Sequence, residues 1–167
     1  LVGFNDFSEM MVQISIMAKS PVYIISTGLF STLASAIMAP ITAGFIHTNY
    51  LAKRNKEFNL STIFEFYKGK YTGTLMIAYA VIGFTMAIVN TLLMFAGLEF
   101  LSFISQGLIS LITVFTIPLI IYEDFNYSDA LSKSISLFGK QPLYILLAVI
   151  VAFFFSMLGF LAFCLGI

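Results

Sequence analysis

The chain has no tryptophan, one cysteine and one histidine, and charged residues make up 10% of its 167 positions. Each scarcity excludes something. A lone cysteine, Cys164, cannot form an intrachain disulfide or a cysteine-based metal cluster, and reads as a small apolar residue in a buried helix. A lone histidine, His47, excludes a multi-histidine metal site within this chain. Beside Thr48, Asn49 and Tyr50 it reads as an interfacial anchor. Lys and Arg number 8, as do Asp and Glu, so no net field recruits nucleic acid. No charged segment followed by a short apolar run and a small-residue cleavage site opens the chain, so a signal peptide is not expected. The sequence starts at Leu1 and stops at Ile167 inside an apolar run, as a piece of a longer protein would.

What the chain does have is hydrocarbon. Hydrophobic residues make up 60% and phenylalanine alone contributes 19 positions, against about 45–50% apolar residues in soluble domains. From Thr72 through Tyr122 the only charged side chain is Glu99. A crossing takes about 20 apolar residues, so this run predicts two spans joined by a turn. The whole pattern predicts an all-α, polytopic membrane protein with four transmembrane helices, at residues 21–46, 72–96, 100–122 and 142–166. Helices satisfy their own backbone in lipid, and the short alternating segments of a barrel are absent. Tyr23, Tyr50, Tyr67, Tyr71, Tyr122, Tyr127 and Tyr144 lie at or just beyond the expected ends, where a phenol can stand in the headgroups.

The cations are sorted. Lys53, Arg54, Lys56, Lys68 and Lys70 fill the first long gap, Lys133 and Lys140 the second, and the turn around Glu99 has none. The positive-inside rule then makes both gaps cytoplasmic and places Glu99 at an outer, hydrated tip. The first five are the candidate contacts for lipid headgroups, at about 1 kcal/mol per cation near an anionic surface.

Each gap also predicts an amphipathic helix. Over residues 59–68, Leu60, Ile63, Phe64 and Tyr67 recur with helical spacing and Asn59 stands at the N-cap position. Over residues 128–139, Leu131, Ile135 and Phe138 form the stripe, with Asp129 and Lys140 placed to suit the helix dipole. Such helices lie in the interface or seal the cytoplasmic end of a bundle. Leu60, Phe64 and Tyr67 match Leu131, Ile135 and Phe138 at one constant offset, and Pro40 corresponds to Pro118. This is the pattern of a tandem, parallel duplication. A second echo, between residues 14–24 and 135–145, would make residues 5–19 another amphipathic helix. It conflicts with the charge rule, which places that segment outside.

At the second gap, Glu123, Ala130-Leu131, Lys133-Ser134, Leu137 and Gly139-Lys140 resemble a signature shared by a broad set of multi-pass bacterial membrane proteins. That set includes the membrane domain found beside some glycerophosphoryl diester phosphodiesterases, and related families without an assigned function. Pro40 and Gly44-Phe45, followed by a basic loop, resemble the first half of the same proteins. The resemblance implies the bacterial cytoplasmic membrane and a multi-span architecture of about six helices. It implies no catalytic residue, because no phosphodiesterase domain is present.

No residue set is expected to be catalytic, to bind a cofactor or to hold a metal, and an enzyme is not expected. Glu123 and Asp124 read as a polar loop edge; Gly69 and Gly73 lack the context of a phosphate loop. The expected span interiors carry no ionisable group of the kind that marks ion-coupled transport. Their polar residues are Asn90, the stripe Ser102, Gln106, Ser110 and Thr113, and the small-residue stripe Thr27, Ser31 and Ser35. Beside the latter run Gly28, Thr32, Ala36 and Pro40. Tight packing between helices would suit a scaffold or accessory subunit, partnered by lipid and by other membrane subunits or a second copy. This is the leading expectation. Exposure of the same side chains to a cavity would instead suit a transporter or lipid-handling protein for a neutral or amphiphilic solute.

Overall fold

The computed structural model describes residues 7, 9–12, 16 and 20–164, with side chains to 155 and at 157. The readings made of residues 1–19, their echo of the second gap among them, lie largely outside the described residues, as do the Cys164 side chain and the expected end of the fourth span. The described elements are α1 (Pro21–Lys53), α2 (Leu60–Ile63) with a 3-10 turn at Glu65–Tyr67, α3 (Thr72–Phe95), α4 (Glu99–Thr113), α5 (Thr116–Tyr122), α6 (Tyr127–Lys140) and α7 (Pro142–Cys164). No strand occurs among the described residues, so the fold is all-α. Three segments are long and apolar enough to cross a membrane: α1, α3 and α4–α5 taken together. The fourth candidate is the pair α6–α7, bent by 100°. Gln141 sets that bend: it precedes Pro142, which disfavours helical torsions, and it adopts φ −141° and ψ 55°.

The chain divides into two compact units, Leu1–Gly107 and Leu108–Ile167. In the first unit α1 outruns its expected span. Its 33 residues rise about 50 Å at 1.5 Å each, against about 30 Å of hydrocarbon. The extension is the stretch from His47 to Lys53, polar enough to continue a helix into the headgroups. Ser20 opens α1, its Oγ accepting from Tyr23 N–H at 3.3 Å, and Pro21 is preset for the first helical position. Asn55 ends it in the left-handed region at φ 53°, and Lys56 N–H closes on the Leu51 carbonyl at 3.0 Å. Gly97 at φ 72° and Asp124 at φ 60° follow α3 and α5 in the same way.

α1 packs antiparallel on α3. The buried line on α1 is Thr32, Ala36, Ala39, Pro40 and Ala43, facing Leu75, Ala78 and Ile82 of α3. Small residues let the backbones meet. A Cβ added to Gly83 would stand 2.8 Å from Ser35 Oγ and 3.1 Å from Thr32 Cα, and one added to Gly28 would stand 3.1 Å from Ala87 Cβ. The tight seam therefore follows Thr32, Ala36 and Pro40. Thr27 and Ser31 lie to its side and are exposed.

The first expected amphipathic helix is not one helix. Asn59 does cap it, accepting from Thr62 N–H at 3.2 Å, but the α-helix ends after one turn. Phe64 leaves it at φ −97° and ψ 1°, and a 3-10 turn follows. The shift in winding rotates the buried side chain from Leu60 and Phe64, both exposed, to Phe66. Gly44 admits the α2 backbone so closely that a Cβ would fall 2.0 Å from the Ile63 carbonyl oxygen.

The expected span 100–122 is one candidate crossing, Glu99–Tyr122, interrupted by a two-residue turn. α4 stops at Thr113 and α5 starts at Thr116. Pro118 has no N–H for the Val114 carbonyl, and its ring crowds that carbonyl, so the helix parts there. The second amphipathic helix forms nearly as expected: Asn126 caps α6, accepting from Asp129 N–H at 2.9 Å and donating to Asp129 Oδ2 at 2.7 Å. α6 packs on α5, with Ala130 and Ser134 fully buried, while Ile135 of the apolar stripe is 54% exposed. The small face meets protein, Leu131 and Phe138 of the apolar stripe are half-buried, and Ile135 stands outside.

Candidate functional site: a polar groove beside the first helix pair

Within the first unit, α1, α3 and the start of α4 enclose an open groove of about 460 Å³. α1 contributes Thr27, Gly28, Ser31 and Ser35, α3 contributes Gly83, Asn90 and Met94, and α4 contributes Gln106. Antiparallel packing brings these residues together. The Gly28–Ala87 and Gly83–Thr32 approaches set the register, and the stripe beside that seam then forms a wall. On the far side of the Gly28–Ala87 contact lies a smaller cavity of about 220 Å³, lined by Ile25, Leu29, Phe84, Ile88 and Leu92 among others. One side of the seam is oily and the other carries amides.

Asn90 organises the polar side. Its Oδ1 accepts from Ser102 Oγ and from Gln106 Nε2 at 3.2 Å. Ser102 is buried to 3% exposure, so this bond ties α4 to α3 across the Gly97 turn. With Oδ1 engaged twice, the Asn90 amide N–H groups remain, and they donate to no acceptor among the described residues. The hydroxyls below are quieter. Ser31 Oγ donates to the Gly28 carbonyl at 2.9 Å and Ser35 Oγ to the Thr32 carbonyl at 2.9 Å. Such bonds within one helix leave a surface closer to apolar than the residue names suggest. Among the described residues no charged side chain lines the groove.

Of the expected stripe residues, the groove thus gathers Thr27, Ser31, Ser35, Asn90 and Gln106, with Ser102 behind them. Ser110 and Thr113 belong to the second unit, where Ser110 is exposed and Thr113 Oγ1 donates to the Ile109 carbonyl at 2.8 Å. Glu99 is exposed at the first position of α4, just after the Gly97 turn.

The five headgroup candidates, Lys53, Arg54, Lys56, Lys68 and Lys70, are all exposed at the other end of α1 and in the loop after it. Two of them cover rings. Arg54 Cζ lies 4.7 Å from the Tyr50 centroid and Lys70 Nζ 4.8 Å from that of Tyr71. Between those tyrosines, His47 stacks on Tyr50 at 6.2 Å, Phe66 meets His47 edge-on at 5.6 Å and Tyr71 lies 6.2 Å from Phe66. His47 is therefore a ring in an aromatic ladder. Phe66 escaped sequence reasoning because regular helical spacing gave the apolar face to its neighbours.

Among the described residues no group of three or more His, Cys, Asp or Glu side chains could hold a metal ion. No family model, curated protein or solved structure matches the chain. The likeness to the phosphodiesterase-associated membrane domain is carried by its short signature alone. The chain is a multi-pass helical membrane protein without recognisable catalytic or cofactor-binding groups among its described residues.

Proposed function

We propose that this protein is a non-catalytic accessory component of the membrane that holds a neutral amphiphile from the bilayer in the groove between α1, α3 and α4. The observation that carries the reading is where Thr27, Ser31, Ser35, Asn90 and Gln106 stand. They line about 460 Å³ of open space, with Thr27 and Ser31 exposed beside the helix seam and only Ser35, half-buried against Gly83, touching it. A purely structural stripe would pack, as Thr32, Ala36 and Pro40 do. The Ser31 and Ser35 hydroxyls are satisfied within α1, so the group left to relieve is the Asn90 amide N–H, and an uncharged acceptor on a ligand would relieve its cost in hydrocarbon. The lack of lining charge favours a neutral solute over an ion or a phosphate. A bacterial cytoplasmic membrane is the location that the resemblance suggests, and the charge pattern adds only which gaps face the cytoplasm.

Native mass spectrometry of the protein released from lipid nanodiscs tests this. The wild type is expected to retain an amphiphile, and a Ser31→Leu/Ser35→Leu variant that fills the groove is expected to lose it. A wild-type particle carrying only a tightly bound protein subunit would replace this reading with a scaffold whose groove seats a partner helix.

A further inference from the structure

We infer that the groove is a one-leaflet site for an acyl ester, with the ester carbonyl at Asn90 and the alkyl chain running down to Ser35. The inference rests on the amphiphile reading above and specifies its ligand. The first argument is depth. From Tyr23 to Ser35 the groove follows α1 for about 18 Å at 1.5 Å per residue. Half of a hydrocarbon core is about 15 Å. The groove therefore starts at the membrane edge nearest the Gly97 turn and ends close to the midplane, the reach of one leaflet's acyl chain.

The second argument is the order of chemistry along that depth. Near the edge stand Tyr23, Met94 and the Asn90–Gln106 pair; deeper come Gly28, Ala87, Ser31, Met86, Gly83 and Ser35. The deep wall is small and chemically quiet, since the Ser31 and Ser35 hydroxyls are engaged with their own helix. It offers a smooth channel to a chain and nothing to a polar group. The upper wall offers donors. Asn90 Oδ1 is saturated by Ser102 and Gln106, so what Asn90 presents is N–H. The complement is an acceptor without a charge, one step below the headgroup and directly above a chain. An ester carbonyl of a glycerolipid occupies that place in a leaflet.

The experiment uses the chain in phosphatidylcholine nanodiscs. One preparation carries a trace of phosphatidylcholine with a diazirine in an ester-linked acyl chain, and the other its ether-linked counterpart, which lacks the carbonyl. Cross-links are mapped by peptide mass spectrometry, with Phe84 and Leu92 on the opposite side of the seam as the reference surface. The expected result is labelling of the segment 28–35 at least fivefold above that reference with the ester probe, falling to the reference level with the ether probe. Asn90→Leu, which keeps the volume and removes the donors, should lower ester labelling to the ether level. Ser31→Leu/Ser35→Leu should abolish groove labelling with either probe. Equal labelling by both probes, or no effect of Asn90→Leu in a variant that retains its helical circular dichroism, overturns ester recognition and leaves the amphiphile reading standing. Groove labelling no higher than the reference with both probes overturns both.

Discussion

The Tyr67 hydroxyl donates to the main-chain carbonyl of Ile37 at 2.5 Å, joining the 3-10 turn of the basic loop to the middle of α1. That carbonyl is next to the Ala36 carbonyl, which loses its helical donor because Pro40 has no N–H, so Tyr67 ties down α1 at the turn where its hydrogen-bond ladder has a gap. The second unit has a counterpart. Ser134 Oγ of α6 donates at 2.6 Å to the Ile112 carbonyl, which lies in the last turn of α4 before the break made by Pro118. In each unit a hydroxyl from the segment after the proline-bearing span returns to a carbonyl near that proline. The positions are not equivalent in the repeat, but the task is the same.

Tyr67→Phe should therefore cost about 0.5–1.5 kcal/mol, the net worth of one hydrogen bond. Thermal unfolding in detergent, followed by circular dichroism, measures it. Pairing the change with Pro40→Ala tests the link to the proline, because an alanine restores the donor to the Ala36 carbonyl and closes the gap beside the one Tyr67 reaches. The double variant should lose less than the sum of the two single changes. Strict additivity would mean that the bond does not depend on the proline.

Gly44→Ala and Gly73→Ala form a second comparison. A Cβ at Gly44 collides with the Ile63 carbonyl at 2.0 Å, whereas at Gly73 nothing lies within 4 Å. The first should destabilise by roughly 1–3 kcal/mol through overpacking. The second should stabilise by up to about 1 kcal/mol through helix propensity. Opposite shifts in unfolding temperature are expected, and limited proteolysis of the basic loop should accelerate only in the Gly44 variant.

Much of this was legible beforehand, for identifiable reasons. The apolar run from Thr72 to Tyr122, the turn near Glu99, the Asn59 cap and the second amphipathic helix all follow from rules that act within a few residues. The stop of α1 did not, because His47 to Lys53 are helix-compatible and nothing local distinguishes hydrocarbon from headgroup. The break of α4–α5 was announced by Pro118, yet Pro40 sits inside an unbroken α1, so the residue alone does not decide. The residues that line the groove were visible as stripes. Which stripe would pack and which would line a groove depended on the rotation of α1 against α3, set by Gly28 and Gly83 meeting a particular partner face.

Asn90→Ala removes the acceptor that joins α3 to α4. Interhelical bonds of this kind are worth about 0.6–2 kcal/mol in membranes, so a loss in that range is expected in a detergent unfolding titration. Ser102→Ala should cost less, because Gln106 still reaches Asn90. A larger effect of Ser102→Ala than of Asn90→Ala would show that the buried serine, and not the amide, organises the hairpin.

The cations of the basic loop divide into two kinds, and their substitution should show it. Lys53, Lys56 and Lys68 offer charge alone, so changing them to Gln should lower the preference for phosphatidylglycerol over phosphatidylcholine by about 1 kcal/mol each. That loss should vanish in 1 M salt, where the screening length falls to about 3 Å. Arg54 and Lys70 also lie over Tyr50 and Tyr71. Their replacement by Gln should additionally cost about 0.5–1 kcal/mol of stability from the lost ring contact, a term that salt screens less because it acts at short range. Lipid preference read from co-purification in mixed nanodiscs, set beside unfolding temperatures at low and high salt, separates the two. If all five substitutions behave alike and salt erases every effect, the aromatic ladder does not organise the loop.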